Sequence, residues 1–483
     1  MASVNLAHLP PRRPAARGWR RLKPPRWVTR YADLSALLGL AAIALAFLEG
    51  VLAGIDAKYG LAFAIGVGFV LLVFVDLSVG FAAMAVLAFL ETLTADSAIS
   101  PAKLAGVVLV GAWLALMATS DVSPRNFFSE RSGLFFLVLM FVGWSAMSVA
   151  WSDVQGEAVT SVQRYALNAV LIPIAYTAIR VDHHLVRVLA ALLVGATISG
   201  LSGILAGGGA QAARATGTVG DANELAAALV LSLGVAAGFV ANRHLSAVAR
   251  LLGGAAAATC VLGILLSLSR GGLLGLVAAC GAAVAFGGRW RGRVAVGVAG
   301  VVLTGVAYFA LFASLPAKER VTNTGGGGTG RLDLWTVAER MIADRPFAGV
   351  GTGQFQSSSV HYLLQPGAIQ RGDFILSQPK VAHNTYLSVL AELGVVGGLL
   401  IGALIVVSVV SLLRAAALYR DRREEGMEIL VRGLAVGVLG YLVTLFFISE
   451  NYAKLFWIVL ALGPVILAVA TDPRPRGRDP VRR

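Results

Sequence analysis

The chain has 483 residues, 57% of them hydrophobic and only 14% charged, with a mean hydropathy of +0.78. Soluble domains carry about a quarter charged residues, so this composition excludes an ordinary soluble enzyme and defines an integral membrane protein. The net charge of +14 does not mark a nucleic-acid binder, because the basic residues are divided between two tails and several short loops with no aromatic interleaving; membrane orientation accounts for it.

The elements follow in chain order. Residues 1–32, with the stretch "PPRRPAARGWRRLKPPRW", have neither an apolar core nor a cleavage site. They read as a disordered basic cytoplasmic tail and not as a signal peptide. Apolar runs then recur, each reaching the roughly 17–25 residues that a spanning helix needs. Candidate spans begin near Leu34, Tyr59, Leu77, Ala102, Gly133, Gln163, His184, Asn223, Arg250, Gly271, Arg293, Thr385, Ile429 and Lys454. The second and third meet at Asp76 with hardly any loop, and the ninth and tenth meet at Ser269-Arg270. If one such pair is re-entrant or interfacial, the count falls from fourteen to twelve. A helix in lipid satisfies its own backbone, and the short alternating strands of a barrel are absent. The expected fold is therefore an all-α polytopic bundle of about 12–14 transmembrane helices. It divides into an N-terminal transmembrane bundle (33–315), a long extracytoplasmic loop (316–384), C-terminal transmembrane helices (385–470) and a basic cytoplasmic tail (471–483). Cys260 and Cys280 lie inside apolar runs, where they imply neither a disulfide framework nor a metal site.

Lys and Arg orient this bundle. Loops holding Arg125 and Arg131, Arg180, Arg243, Arg289 to Arg293 and Arg420 to Arg423 alternate with loops poor in such residues. That pattern puts both termini in the cytoplasm. The turns near Asp153, Arg214, Arg270 and Glu450 then face outside, together with the long loop. Within the loop, "TNTGGGGTG" (322–330) reads as flexible; with no Lys-Ser/Thr after the glycines it is no P-loop. "RLDLWTVAERMIADRP" (331–346) reads as an amphipathic helix, with Leu332, Trp335, Val337 and Met341 turned to the bilayer or the bundle. "GVGTGQF" (349–355) is a glycine-rich turn, not a dinucleotide fingerprint, because no strand precedes it.

Several polar residues stand out against this background. Arg214 and Arg270 occupy short outer loops, against the positive-inside bias, and Arg331 opens the loop helix. Each has a bland reading, such as a side chain snorkelling to headgroups. Together they form an anion site suited to phosphate oxygens. Of the six histidines, His361 and His383 fall outside. His383 is either a polar anchor at a helix mouth or a base accepting a hydroxyl proton. Asn384 beside it is an N-cap candidate. Glu392 lies within the apolar run, roughly 13 Å further along at about 1.5 Å per residue. On a regular helix it shares a face with Thr385 and Ser388, either as a cavity acid or paired with an arginine. Gly394 and Gly398 form a small-xxx-small pair for helix packing. Asp221 and Asn223 read as a helix start, Asp221 to Glu224 having capping-box spacing. No Asp-x-Asp or His-Glu-x-x-His pattern lies outside, so no metal is implied.

"RLDLWTVAERMIADRPFAGVGTGQF" followed by "AHNTYLSVLAELGVVGG" resembles the O-antigen ligase and polymerase superfamily of bacterial envelope glycosyltransferases. The resemblance rests on Arg331, Trp335, Pro346, Gly351, Gly353, Phe355, His383, Asn384, Gly394 and Gly397, with "SRGG" (269–272) and "RATGTVGDANELA" (214–226) upstream. It covers about residues 210–455; the first two hundred residues match in hydropathy alone. It implies a GT-C-like membrane enzyme that takes an undecaprenyl-diphosphate-linked glycan as donor and transfers it en bloc to a hydroxyl of a lipid or glycan acceptor. No metal, nucleotide sugar or other cofactor is implied, and the expected displacement inverts the anomeric centre. In that scheme Arg214, Arg270 and Arg331 bind the diphosphate and His383 is catalytic. Asn384, Glu392, Asp221 and Asn223 support them, and the membrane bundle holds the prenyl chain. A polymerase differs in using another lipid-linked repeat as acceptor. Two other classes stay open: a bicarbonate-type transporter with Glu392 on its path, and a non-catalytic scaffold of an envelope synthesis complex.

Overall fold

The computed structural model describes residues 26–90, 101–119, 126–206, 214–322, 330–367 and 380–472. Every regular element among them is helical, as the hydropathy pattern and the backbone's need for partners in lipid require. The chain divides into two units, residues 1–69 and 70–483. In the first, helix Arg26–Ile55 ends at Asp56 and the next helix starts at Ala57, the Asp56 carbonyl accepting the Tyr59 N–H at 2.9 Å. The chain is thus already helical from Arg26, inside the tail expected over 1–32; residues 1–25 lie outside the described residues.

In the whole chain, nine helices among the described residues are long and apolar enough to cross a membrane. Ala42–Ile55, Tyr59–Val75, Leu77–Leu87 and Arg270–Phe286 are shorter apolar helices. Every expected span finds one of these except the sixth. There the chain forms Gln155–Ala169 and Leu171–Ala178, because Pro173 removes an N–H from the ladder and crowds the preceding turn. The joint at Asp76 is a helix start: the Asp76 carboxylate accepts from Ser78 N–H at 2.9 Å and pairs with Arg187 at 2.6 Å.

Helix Ala222–Ala241 is the centre of the second unit, packed by Asp182–Leu205, Ala247–Leu266, Arg270–Phe286 and Glu425–Thr444. Its crossing with Glu425–Thr444 is backbone on backbone. A Cβ on Gly234 would lie 2.4 Å from the Gly433 carbonyl oxygen, the close approach that small residues permit between membrane helices. Arg291–Ala307 buries none of its residues and leans on Arg270–Phe286, so lipid is its surrounding medium.

The expected regular helix after His383 does not form. Thr385–Asp421 is broken at Gly394, where φ is 65° and ψ −170°, a backbone that only glycine adopts without strain. The break frees backbone groups, and the 346–351 turn takes them. Val350 N–H donates to the Ala391 carbonyl and Gly351 N–H to that of Glu392, both at 2.9 Å, while Val395 N–H donates to the Pro346 carbonyl at 2.8 Å. Trp144 Nε1 donates to the Leu393 carbonyl at 2.9 Å. A Cβ on Gly394 would meet the Phe347 carbonyl at 2.2 Å, and one on Gly398 would meet the Leu390 side chain. Of the pair expected to pack helices, Gly394 makes the break instead.

The loop carries helices Leu315–Thr322, Arg331–Asp344 and Phe355–Leu363; residues 323–329 of the glycine-rich stretch lie outside the described residues. The amphipathic helix appears at the expected place and buries Val337 and Met341 as expected, with Trp335 partly buried beside them; Leu334 and Ala338 join that face and Leu332 leaves it. Leu334, Val337, Ala338 and Met341 pack on Phe355, Tyr362, Ala382 and Ala391, while Leu332 is exposed. Spacing at i, i+3, i+4 and i+7 defines that face, and Leu332 falls off it.

The connections group at two ends of the second unit. Ser267 bonds Arg214, Arg320 bonds Arg270, Glu450 bonds Thr385, and Val154 bonds Gln354. At the other end Asn242 bonds Gly426, Arg289 reaches Glu425, and Tyr419 bonds Asp182. This is the same partition that the Lys and Arg pattern makes.

Candidate functional site

Three loops and the loop helix build a cationic cluster at the first end. Asp221 caps Ala222–Ala241, its carboxylate accepting from Asn223 N–H at 2.7 Å and Glu224 N–H at 3.1 Å, so the expected helix start is there. Asn223 does more. Its side-chain oxygen accepts from Arg214 Nη2 at 2.7 Å and from Ser269 Oγ at 2.9 Å. Arg214 Nε donates to the Ser267 carbonyl at 2.9 Å. Two neutral acceptors thus aim Arg214 without cancelling its charge. Leu268, between them, has φ of +50°, a strained conformation for such a residue. Arg270 Nε donates to the Arg320 carbonyl at 3.0 Å, on the last turn of Leu315–Thr322.

Arg331 begins its helix directly after Gly330. Burial lowers its pKa and Arg270 and Arg320 lower it further, while Asp221 opposes them. Arg214 is pushed down to about 10 by burial, then by Arg320 and Arg331, again against Asp221. Arg320 thus acts on both Arg214 and Arg331, Arg270 acts on Arg331, and Asp221 opposes them at both positions. At about 10, Arg214 remains charged at neutral pH.

His383 faces the same cluster. Its φ of +47° is left-handed, which histidine tolerates better than most residues. The next residue, Asn384, caps the helix by accepting from the N–H groups of Tyr386 and Leu387, both at 3.0 Å. Thr385 fastens this turn: its N–H donates to the Leu445 carbonyl at 2.9 Å and its hydroxyl to the Ile448 carbonyl at 2.7 Å. Burial pulls the imidazole pKa below its ordinary value, and Arg331 and Lys380 pull it further, with Asp221 opposing. The ring is therefore neutral near pH 7 and able to accept a proton.

Arg214, Asp221, Asn223, Arg270, Arg331, His383 and Asn384 thus come together. Glu392 does not join them, and no arginine meets it among the described residues. Its carboxylate accepts from Gly353 N–H at 3.0 Å, Tyr452 OH at 2.9 Å and Phe355 N–H. The break at Gly394 turns the helix there, and the glycine turn is brought against the acid. His361 packs edge-on against Tyr362 on Phe355–Leu363. Two members escaped the sequence reading. Arg320 carried a signal, being another basic residue in a loop expected outside; Ser269 stood in the "SRGG" motif, but its bond to Asn223 depends on Asn223 lying across from it.

The fold defines an all-α polytopic membrane protein, and at one end it sets a group of arginines beside a histidine. Residues 255–402 match the family described as O-antigen ligase, and the superfamily resemblance holds over that segment. The match includes Arg270, Arg331, His383 and Glu392 and supports a function of the O-antigen ligase or polymerase type. Arg214, Asp221 and Asn223 precede it. No curated protein matches the chain.

Proposed function

We propose that the protein transfers a glycan en bloc from undecaprenyl diphosphate to an acceptor sugar hydroxyl at the outer face of a bacterial inner membrane, with both termini cytoplasmic. The observation that supports this most is the gathering of Arg214, Arg270, Arg320 and Arg331 around a neutral His383. A diphosphate leaving group is already activated, so the protein's task is to stabilise its charge and place the nucleophile. The acceptor oxygen forms a bond to the anomeric carbon while the bond from that carbon to the phosphate oxygen breaks. The diphosphate leaves with the electron pair onto the guanidinium groups, and the hydroxyl proton passes to His383. A single displacement of this kind inverts the anomeric centre. No step requires a metal.

A polymerase would use the same site with a lipid-linked repeat as acceptor, and the two readings differ only in that substrate. Nothing in the site favours bicarbonate transport. Transporters use broken helices to bind ions, but here the freed carbonyls hold Val350, Gly351 and Trp144. The test is a transfer assay with purified protein, a lipid-diphosphate glycan and an acceptor, in EDTA. Transfer is expected, with losses of about 10²-fold or more in Arg270→Ala and His383→Ala. Full activity in both variants would remove the site assignment. Bicarbonate flux in proteoliposomes without acceptor would favour transport, and variants altering assembly alone would favour a scaffold.

A further inference from the structure

Glu392 is 4% exposed, lies outside the arginine cluster and has no part in the transfer chemistry above. It nevertheless joins three segments. It stands on the half-helix 385–393, which ends at the Gly394 break. Through Gly353 N–H and Phe355 N–H it holds the turn that follows the loop helix Arg331–Asp344. Through Tyr452 OH it holds the connection before Lys454–Thr471. Asn168 Nδ2 fixes that connection by donating to the Tyr452 carbonyl at 2.8 Å, and the Tyr165 ring lies 4.4 Å from the Tyr452 ring. The loop helix ahead of that turn begins at Arg331, and His383 lies two residues before the half-helix.

We propose that Glu392 is a positioning residue, a latch that fixes His383 relative to Arg331 by tying their two supporting helices to one turn. It rests on the transferase reading. Without the latch, Arg214 and Arg270 keep the anchors that Asn223, Ser267 and the Arg320 carbonyl provide, so donor binding persists. What is lost is the placement of the base against the bound diphosphate. Misplacement of about 1 Å costs roughly 10²-fold in rate.

Gln can rebuild most of the latch. With its amide oxygen in the place of Glu392 Oε2, it accepts from both Gly353 N–H and Tyr452 OH as the carboxylate does. The experiment compares Glu392→Ala, Glu392→Gln and Tyr452→Phe in the full-length protein, reading kcat, donor Kd and spin-label distances between Leu332 and Lys380. Glu392→Ala is expected to lower kcat about 10²-fold with donor Kd within about threefold. Glu392→Gln should recover most of that loss, and the double variant Glu392→Ala/Tyr452→Phe should be no worse than Glu392→Ala alone. The label distances should broaden in Glu392→Ala. An unchanged distance distribution overturns the latch whatever the protein's reaction, as does a kcat loss that only follows the folded fraction. Absence of transfer by the unmutated protein would sink the functional reading instead, and the distance measurement would still decide the latch.

Discussion

The two ends of the second unit treat arginine in opposite ways. At one end Arg289 and Arg432 share Glu428 at 3.2 and 2.9 Å, Glu428 being 2% exposed, and Arg289 also reaches Glu425 at 3.2 Å. These cations tie helix Glu425–Thr444 to the chain after Arg270–Phe286, and their charge is spent within the protein. At the other end Arg214, Arg320 and Arg331 meet no carboxylate within 4.0 Å among the described residues. Arg214 is aimed by an amide oxygen and a carbonyl instead. Neutral acceptors hold a guanidinium in place and leave its field available. A group of like charges opposed by one carboxylate, Asp221, is costly to hold; on the proposed function the diphosphate completes it. Pairing therefore separates structural arginines from working ones better than position does.

The largest effects should fall at the unpaired end. His383→Ala removes the proton acceptor, with an expected loss in kcat of roughly 10²–10⁴-fold. Arg214→Ala should cost about 10²–10³-fold in transfer without altering the melting temperature. If Arg214→Ala unfolds the protein and leaves specific activity intact, the comparison between the ends fails.

At the paired end the pattern should reverse. Arg432→Ala leaves the buried Glu428 carboxylate with Arg289 alone, and should destabilise by about 1–3 kcal/mol. Thermal unfolding in detergent reads this directly, while activity per folded molecule stays near that of the unmutated protein. A large kcat loss at full stability would show that this end also serves the reaction.

Much of this contrast was legible in the sequence because it rests on charge and hydropathy, which act residue by residue. The all-helical fold, the loop partition and the placing of Arg214, Arg270, Arg331 and His383 on one side follow from those quantities. The break at Gly394 does not. Its apolar run looks continuous, and only the approach of Phe347 and Gly351, some forty residues earlier in the chain, makes an interrupted helix stable there. Glu392 was misread for the same reason. An acid in an apolar helix needs partners, and these turned out to be backbone N–H groups and a tyrosine, which leave no charge pattern to read. Pro173 lies within the sixth span, and hydropathy alone does not register what a proline does to the helix around it.

The smallest effect is a shift in pH dependence. Arg331 lowers the pKa of His383 and Asp221 raises it, both after burial. The imidazole accepts a proton only while neutral, so activity should persist as pH falls through the ordinary histidine value of 6.5 and be lost below it. The acidic limb of kcat/KM reports the free enzyme. Arg331→Gln removes a neighbouring positive charge, makes the imidazolium less unfavourable, and should move that limb upward. Arg331→Lys keeps the charge and should leave the limb near its original place; Asp221→Asn should move it down. Arg289→Gln, at the far end and beyond a screening length of about 8 Å, should not move it. A limb that stays fixed in Arg331→Gln would separate His383 from the arginine cluster. The limb of kcat should lie above that of kcat/KM, because a bound diphosphate adds negative charge beside the imidazole in the complex.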